Sequence, residues 1–237
     1  SCEFIMHCDR AVAALESYVG LVEAGVGLLP GGGGTKEFAV RAADAVRQGP
    51  TGGQADHFPF LRASFQTIAM ATVAKSALEA KALGFLKDAD VVVTHPHEIL
   101  HVAIGQARAM ADSGYRPPLP PVGIPVAGRT GIATLEMMLV NMREGGFITA
   151  YDFEVALAIA RVLCGGDVDA GSTVVFRIDL GDQGLADLAD GYPTLTPVVC
   201  GLQAPTSGAV EAQGHARTQE VFVWKTDSEL QGSCGRI

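Results

Sequence analysis

Five of the nine residues from Pro117 to Pro125 are prolines. Each fixes its own φ and lacks an amide donor, so neither a helix nor a central strand can run through this stretch. It reads as a linker and a boundary, with periodic structure confined to either side. Beyond it, Ile132, Leu135, Leu139 and Met142 recur at helical spacing. Thr149, with Asp152 three residues on, has the form of a capping box that starts a second helix, and Ala156, Ile159, Ala160 and Leu163 give that helix its apolar face. Gly145-Gly146 between the two and Gly165-Gly166 after them predict an antiparallel helical hairpin whose role is packing. Met137, Met138 and Met142 read as core or interface filler.

On the N-terminal side, the residues from Glu3 to Cys8 predict a short helix, and strand character follows in Arg10-Ala11-Val12-Ala13 and Tyr18-Val19. Pro30 to Thr35 is a glycine-rich loop. Phe38, Ala39, Ala42, Ala43 and Val46 then fit a helix capped by Thr35 and broken at Gly49 to Gly53. A surface insertion is expected around Asp56 to Pro59, an alanine-rich helix from Phe60 to Leu83 and a stop at Gly84. Asp90-Val91-Val92-Val93 reads as a buried strand, and Pro96 as a turn into a helix over His97 to Ala111. From Thr173 apolar periodicity fades, with Trp224 in an isolated Val221-Phe222-Val223-Trp224 run. The expected division is 1–94 as an α/β unit, 95–172 as a helical region and 173–237 as an unassigned tail.

A chain of 237 residues with 48% hydrophobic content can bury a sizeable core. Its formal net charge of −9 would repel a phosphate backbone, so nucleic acid is not an expected partner. The five cysteines are an odd count without framework spacing, which predicts free thiols and a cytoplasmic setting. Charges or glycines interrupt every apolar run before membrane-spanning length. The opening Ser-Cys-Glu reads as a fragment or a processed product.

The residues that point to chemistry are Glu3, in Cys2-Glu3, and Glu23, in Gly20-Leu21-Val22-Glu23, followed by Gly27-Leu28-Leu29-Pro30 and the run Gly31 to Gly34. Two carboxylates converging beside a glycine-rich turn can share acid and base roles on one small substrate. Otherwise Glu3 is a first-turn helix carboxylate and Glu23 a solvated loop residue. The three segments, in this order and with Glu3 and Glu23 twenty residues apart, resemble the enoyl-CoA hydratase/isomerase (crotonase) family. The likeness is strongest to the hydratase part of fused bacterial 3-hydroxyacyl-CoA dehydrogenase/enoyl-CoA hydratase proteins of fatty-acid β-oxidation. Gly114-Tyr115-Arg116-Pro117, Ala127-Gly128-Arg129-Thr130-Gly131 and Leu163-Cys164-Gly165-Gly166-Asp167 carry it to about residue 172.

That resemblance implies an α/β fold, the C-terminal half of a crotonase-like ββα core followed by a helical extension. It implies syn hydration of 2-enoyl-CoA thioesters, with Glu3 and Glu23 flanking the attacking water and Val22, Gly27 and Pro30 binding substrate. No metal and no redox cofactor is implied; the acyl-CoA is the small-molecule substrate. A homo-oligomer or a dehydrogenase partner domain is implied as well. Three departures accompany it. Ser1 stands where the family has glycine, with the glycine whose amide forms half of the oxyanion hole expected before it, so little turnover is expected of the chain as given. Val22 replaces a proline. The tail from Thr173 does not match and is read as frame-shifted or disordered. A non-catalytic, crotonase-derived interaction module is the alternative outside enzymology.

Other patterns compete. His97-Glu98-Ile99-Leu100-His101 matches the H-E-x-x-H pattern of zinc proteases, yet Ile104 occupies the glycine position of the longer motif and no third histidine follows. Gly25-Val26-Gly27 begins like a dinucleotide fingerprint, but Pro30 takes the place of its last glycine. Gly34-Thr35-Lys36 reverses the order of a phosphate loop. Cys2, His7 and Cys8 are more simply explained as small groups on a buried helix than as metal ligands.

Overall fold

A computed structural model describes residues 2–49 and 56–176. Helix and short strands mix throughout. Helix α1 (Cys2–His7) leads into strand β1 (Val12–Ala14) and strand β2 (Val19–Gly20), and a single 3-10 turn (Glu23–Val26) precedes helix α2 (Gly34–Gln48). Helix α3 (Phe58–Ala69), strand β3 (Val73–Ala74), helix α4 (Ala77–Ala82), strand β4 (Val91–Val93) and helix α5 (Ile99–Asp112) follow. Strand β5 (Ile124–Pro125), helix α6 (Gly128–Glu144), helix α7 (Ala150–Leu163) and strand β6 (Thr173–Val174) complete the described chain.

The strands pair two by two. β1 lies parallel to β4 with Val12 opposite Val91, β2 antiparallel to β3 with Val19 opposite Ala74, and β5 antiparallel to β6 with Ile124 opposite Val174. The β1–β4 register is locked by Asp90. This carboxylate is buried, and it accepts hydrogen bonds from the Ala11 amide at 2.8 Å and the Lys87 amide at 2.7 Å. A buried carboxylate is tolerated when its lone pairs are occupied in this way.

One apolar core runs from Met6 to Phe176. The α2 stripe of Phe38, Ala39, Ala42, Ala43 and Val46 is buried as its spacing predicts, and so is the α7 stripe of Ala156, Ile159, Ala160 and Leu163. α6 and α7 pack together, and α7 also packs against α2 and α3, so the hairpin closes over the first part of the chain. Leu135, Ile159 and Leu163 are each 0% exposed. Complete burial of such side chains contributes roughly 1.5–3 kcal/mol apiece. The Thr149 capping box forms in full: the Thr149 hydroxyl accepts from the Asp152 amide, and the Asp152 carboxylate accepts from the Thr149 amide at 2.9 Å.

Several expectations require correction. The helix expected from Phe60 to Leu83 is two helices with a strand between them. Ala71 takes a left-handed φ of 48°, Val73 and Ala74 pair with β2, and Ser76 caps α4 by accepting from the Glu79 amide. Thr35 does not cap α2; Gly33 does, with φ 88°, and Thr35 is a buried residue of the first turn. Thr173 and Val174, assigned to the unassigned tail, pair with the end of the proline segment. Met137 is 61% exposed, whereas Met138 packs against the core. The Val221 to Trp224 run lies outside the described residues. Among the described residues, no helix is long and apolar enough to cross a membrane.

Candidate active site

Glu3 sits in the first turn of α1 and points across to the glycine run. Its Oε2 accepts from the Gly32 amide and its Oε1 from the Gly34 amide, each at 2.9 Å. The carboxylate thereby satisfies amides at the start of α2 that no threonine hydroxyl reaches, and its charge lies at the favourable end of that helix. The glycines make this approach possible. A Cβ on Gly32 would lie 2.6 Å from the Glu3 carboxylate, and one on Gly34 2.8 Å from both methyls of Leu21.

Glu23 opens the 3-10 turn after β2. Its Oε2 is buried and has no hydrogen-bond partner among the described residues. The two carboxylates are electrostatically coupled: burial pushes the Glu3 pKa up, the amides of Gly34 and Gly32 oppose this, and the charge of Glu23 adds to the rise. Cys2 belongs to the same cluster. Its thiol is pushed up to about 12, first by burial and then by the charges of Glu23 and Glu3. It is therefore an unreactive neighbour at neutral pH rather than a nucleophile.

The three expected substrate-binding residues fall in different settings. Val22, immediately before Glu23, is half exposed. Gly27 closes the turn with φ 76°, a conformation that favours glycine, and its α-carbon lies against the Tyr151 ring of α7, so that an added Cβ would meet the ring at 2.7 Å. Its carbonyl accepts a hydrogen bond from the Tyr151 hydroxyl at 2.9 Å. Pro30 is buried at the start of the glycine run. Tyr151 was not singled out from the sequence; it lies 124 residues from Gly27, and no local pattern links them.

The rival motifs take other shapes. His97 lies in a 3-10 turn (Pro96–Glu98) and His101 in the helix that follows, so the two do not share one continuous α-helix as the zinc-protease motif requires. Among the described residues, no three His, Cys, Asp or Glu side chains are grouped to hold a metal ion. Gly25 and Gly27 belong to the Glu23 turn rather than to a strand-to-helix crossing.

A carboxyl held above its ordinary pKa, coupled to a second carboxyl with a buried free oxygen, can divide proton donation from water activation. The chain is similar to a probable 3-hydroxyacyl-CoA dehydrogenase of Bacillus subtilis (strain 168). The two are 40% identical over 174 residues, which is 73% of this chain and 21% of that protein. The chain thus spans about a fifth of the length of the curated relative it matches. No protein-family model and no solved structure matches the chain.

Proposed function

We propose that the chain acts in the metabolism of 3-hydroxyacyl-CoA thioesters in fatty-acid breakdown, and that its own step is the hydration of a 2-enoyl-CoA on a crotonase-like scaffold. The observation that carries the reading is the coupled pair Glu3 and Glu23 beside the glycine run. The relative's name agrees in chemistry: 3-hydroxyacyl-CoA is the product of hydrating a 2-enoyl-CoA and the substrate of a dehydrogenase so named.

In the proposed reaction, one carboxylate takes a proton from water as its oxygen attacks the β-carbon, and the α-carbon receives a proton relayed by the other. Glu23, with its unpaired buried oxygen, suits the hydroxyl-facing role. Glu3, whose lone pairs are partly engaged by two amides, is held in a fixed orientation. Negative charge gathers on the thioester oxygen during attack and calls for amide donors near it.

The test is hydration of crotonyl-CoA by the purified chain, at the low rate expected where Ser1 stands in place of a family glycine, with Glu3→Gln and Glu23→Gln alongside. Each variant is expected to lose roughly 100-fold or more of the rate, the usual contribution of a positioned acid or base. A rate indifferent to both substitutions contradicts the proposal. A second reading, in which the chain serves the dehydrogenase reaction in its relative's name, predicts NAD-dependent oxidation of 3-hydroxybutyryl-CoA without hydration.

A further inference from the structure

We infer that Tyr151 is a positioning residue for Glu23, holding the turn that carries this carboxylate from the capped end of α7. The Glu23 turn is one turn long, from Glu23 to Val26. A single turn is not self-supporting, because nucleation fixes several residues for very few hydrogen bonds. The bonds it makes to itself run from the Gly25 amide to the Val22 carbonyl, from Gly27 to Ala24 and from Leu28 to Glu23. Its place must therefore be set from outside.

Besides the packing of Ala24 against the core, contacts on two sides do this. On one side Gly25 faces the Ala71 methyl, at the left-handed bend after α3. On the other, the Tyr151 hydroxyl donates to the Gly27 carbonyl at 2.9 Å while its ring covers the Gly27 α-carbon. Among the described residues this is the side-chain hydrogen bond that reaches the turn. Tyr151 is well placed to hold a fixed point, since it stands between Thr149 and Asp152, whose reciprocal hydrogen bonds fix the first turn of α7. Gly27 can accept the ring only because it lacks a Cβ.

The positioning role stands on this geometry; its catalytic consequence rests on the proposed hydration. The groups that act on Glu3 give a readout independent of turnover. Burial raises the Glu3 pKa, the Gly34 and Gly32 amides lower it, and Glu23 raises it. Cys2, with its thiol protonated, adds no charge near neutral pH. If Tyr151 holds Glu23 in place, losing the hydroxyl lets Glu23 withdraw, and the Glu3 midpoint falls.

The experiment is a carbon-13 NMR titration of the Glu3 carboxyl in the unmodified chain, Tyr151→Phe, Glu23→Gln and the double variant. Tyr151→Phe keeps the ring and so preserves the packing. The midpoint is expected to fall in each single variant, and the double variant is expected to match Glu23→Gln. An unchanged midpoint in Tyr151→Phe overturns the inference. So does an equal further fall in the Glu23→Gln background, which shows the ring acting on burial rather than through Glu23. A hydration rate indifferent to Glu3→Gln and Glu23→Gln contradicts the proposed function while leaving this titration decisive for Tyr151. Where hydration is observed, Tyr151→Phe is expected to lower kcat several-fold with KM unchanged; a change in KM alone counts against the positioning role.

Discussion

The α6–α7 hairpin and the Glu3–Glu23 site solve opposite problems. The hairpin buries Leu135, Leu139, Ile159 and Leu163 with no polar atom among them, so its geometry follows from apolar area and shape. The site holds two half-buried carboxylates, and its geometry follows from backbone amides and from glycines that let those amides approach. One region maximises stability; the other holds charged groups in surroundings that raise the Glu3 pKa. A carboxyl raised in this way is one whose protonation a substrate can change.

The contrast breaks first under core truncation. Ile159→Ala should destabilise the chain by about 2–5 kcal/mol in urea unfolding, the range for emptying a packed aliphatic site. The Glu3 titration should remain where it was, because Ile159 contributes no charge or hydrogen bond to the site. A large shift in that titration would show that core packing reaches the site by more than the Tyr151 contact.

A smaller effect is expected at Cys2. Alkylation by iodoacetamide should keep accelerating with pH well past 9, since the thiol is pushed up to about 12. Removing the nearby charge in Glu23→Gln should raise the rate at a fixed alkaline pH by only a few-fold. The modest size follows from the order of causes, as burial outweighs the charge of Glu23. A rate curve that levels near pH 9 contradicts the buried, doubly acidic surroundings of this thiol.

The same contrast governs what could be read from the amino-acid sequence. The hairpin was legible because its determinants are local: apolar residues at helical spacing, and Thr149 and Asp152 three residues apart. The break within residues 60–83 was not, because it depends on Ala71 turning left-handed so that Val73 can meet Gly20 of β2. Helix propensity favoured continuity there and tertiary pairing prevailed. Thr35 offered the expected cap chemistry, yet the Gly34 amide is engaged by Glu3, 31 residues earlier. The two glutamates stood out through their order and their setting beside glycines. Tyr151, whose contact is fixed only once α7 has packed, left no local trace.

Whether Glu3 and Glu23 serve one reaction is tested most directly by a double-mutant cycle. Crotonyl-CoA hydration is measured for the unmodified chain, Glu3→Gln, Glu23→Gln and the pair together. Residues acting in one step are non-additive, so the double variant should be about as slow as the slower single variant. Losses that multiply independently, or a rate untouched by either change, would contradict a shared site.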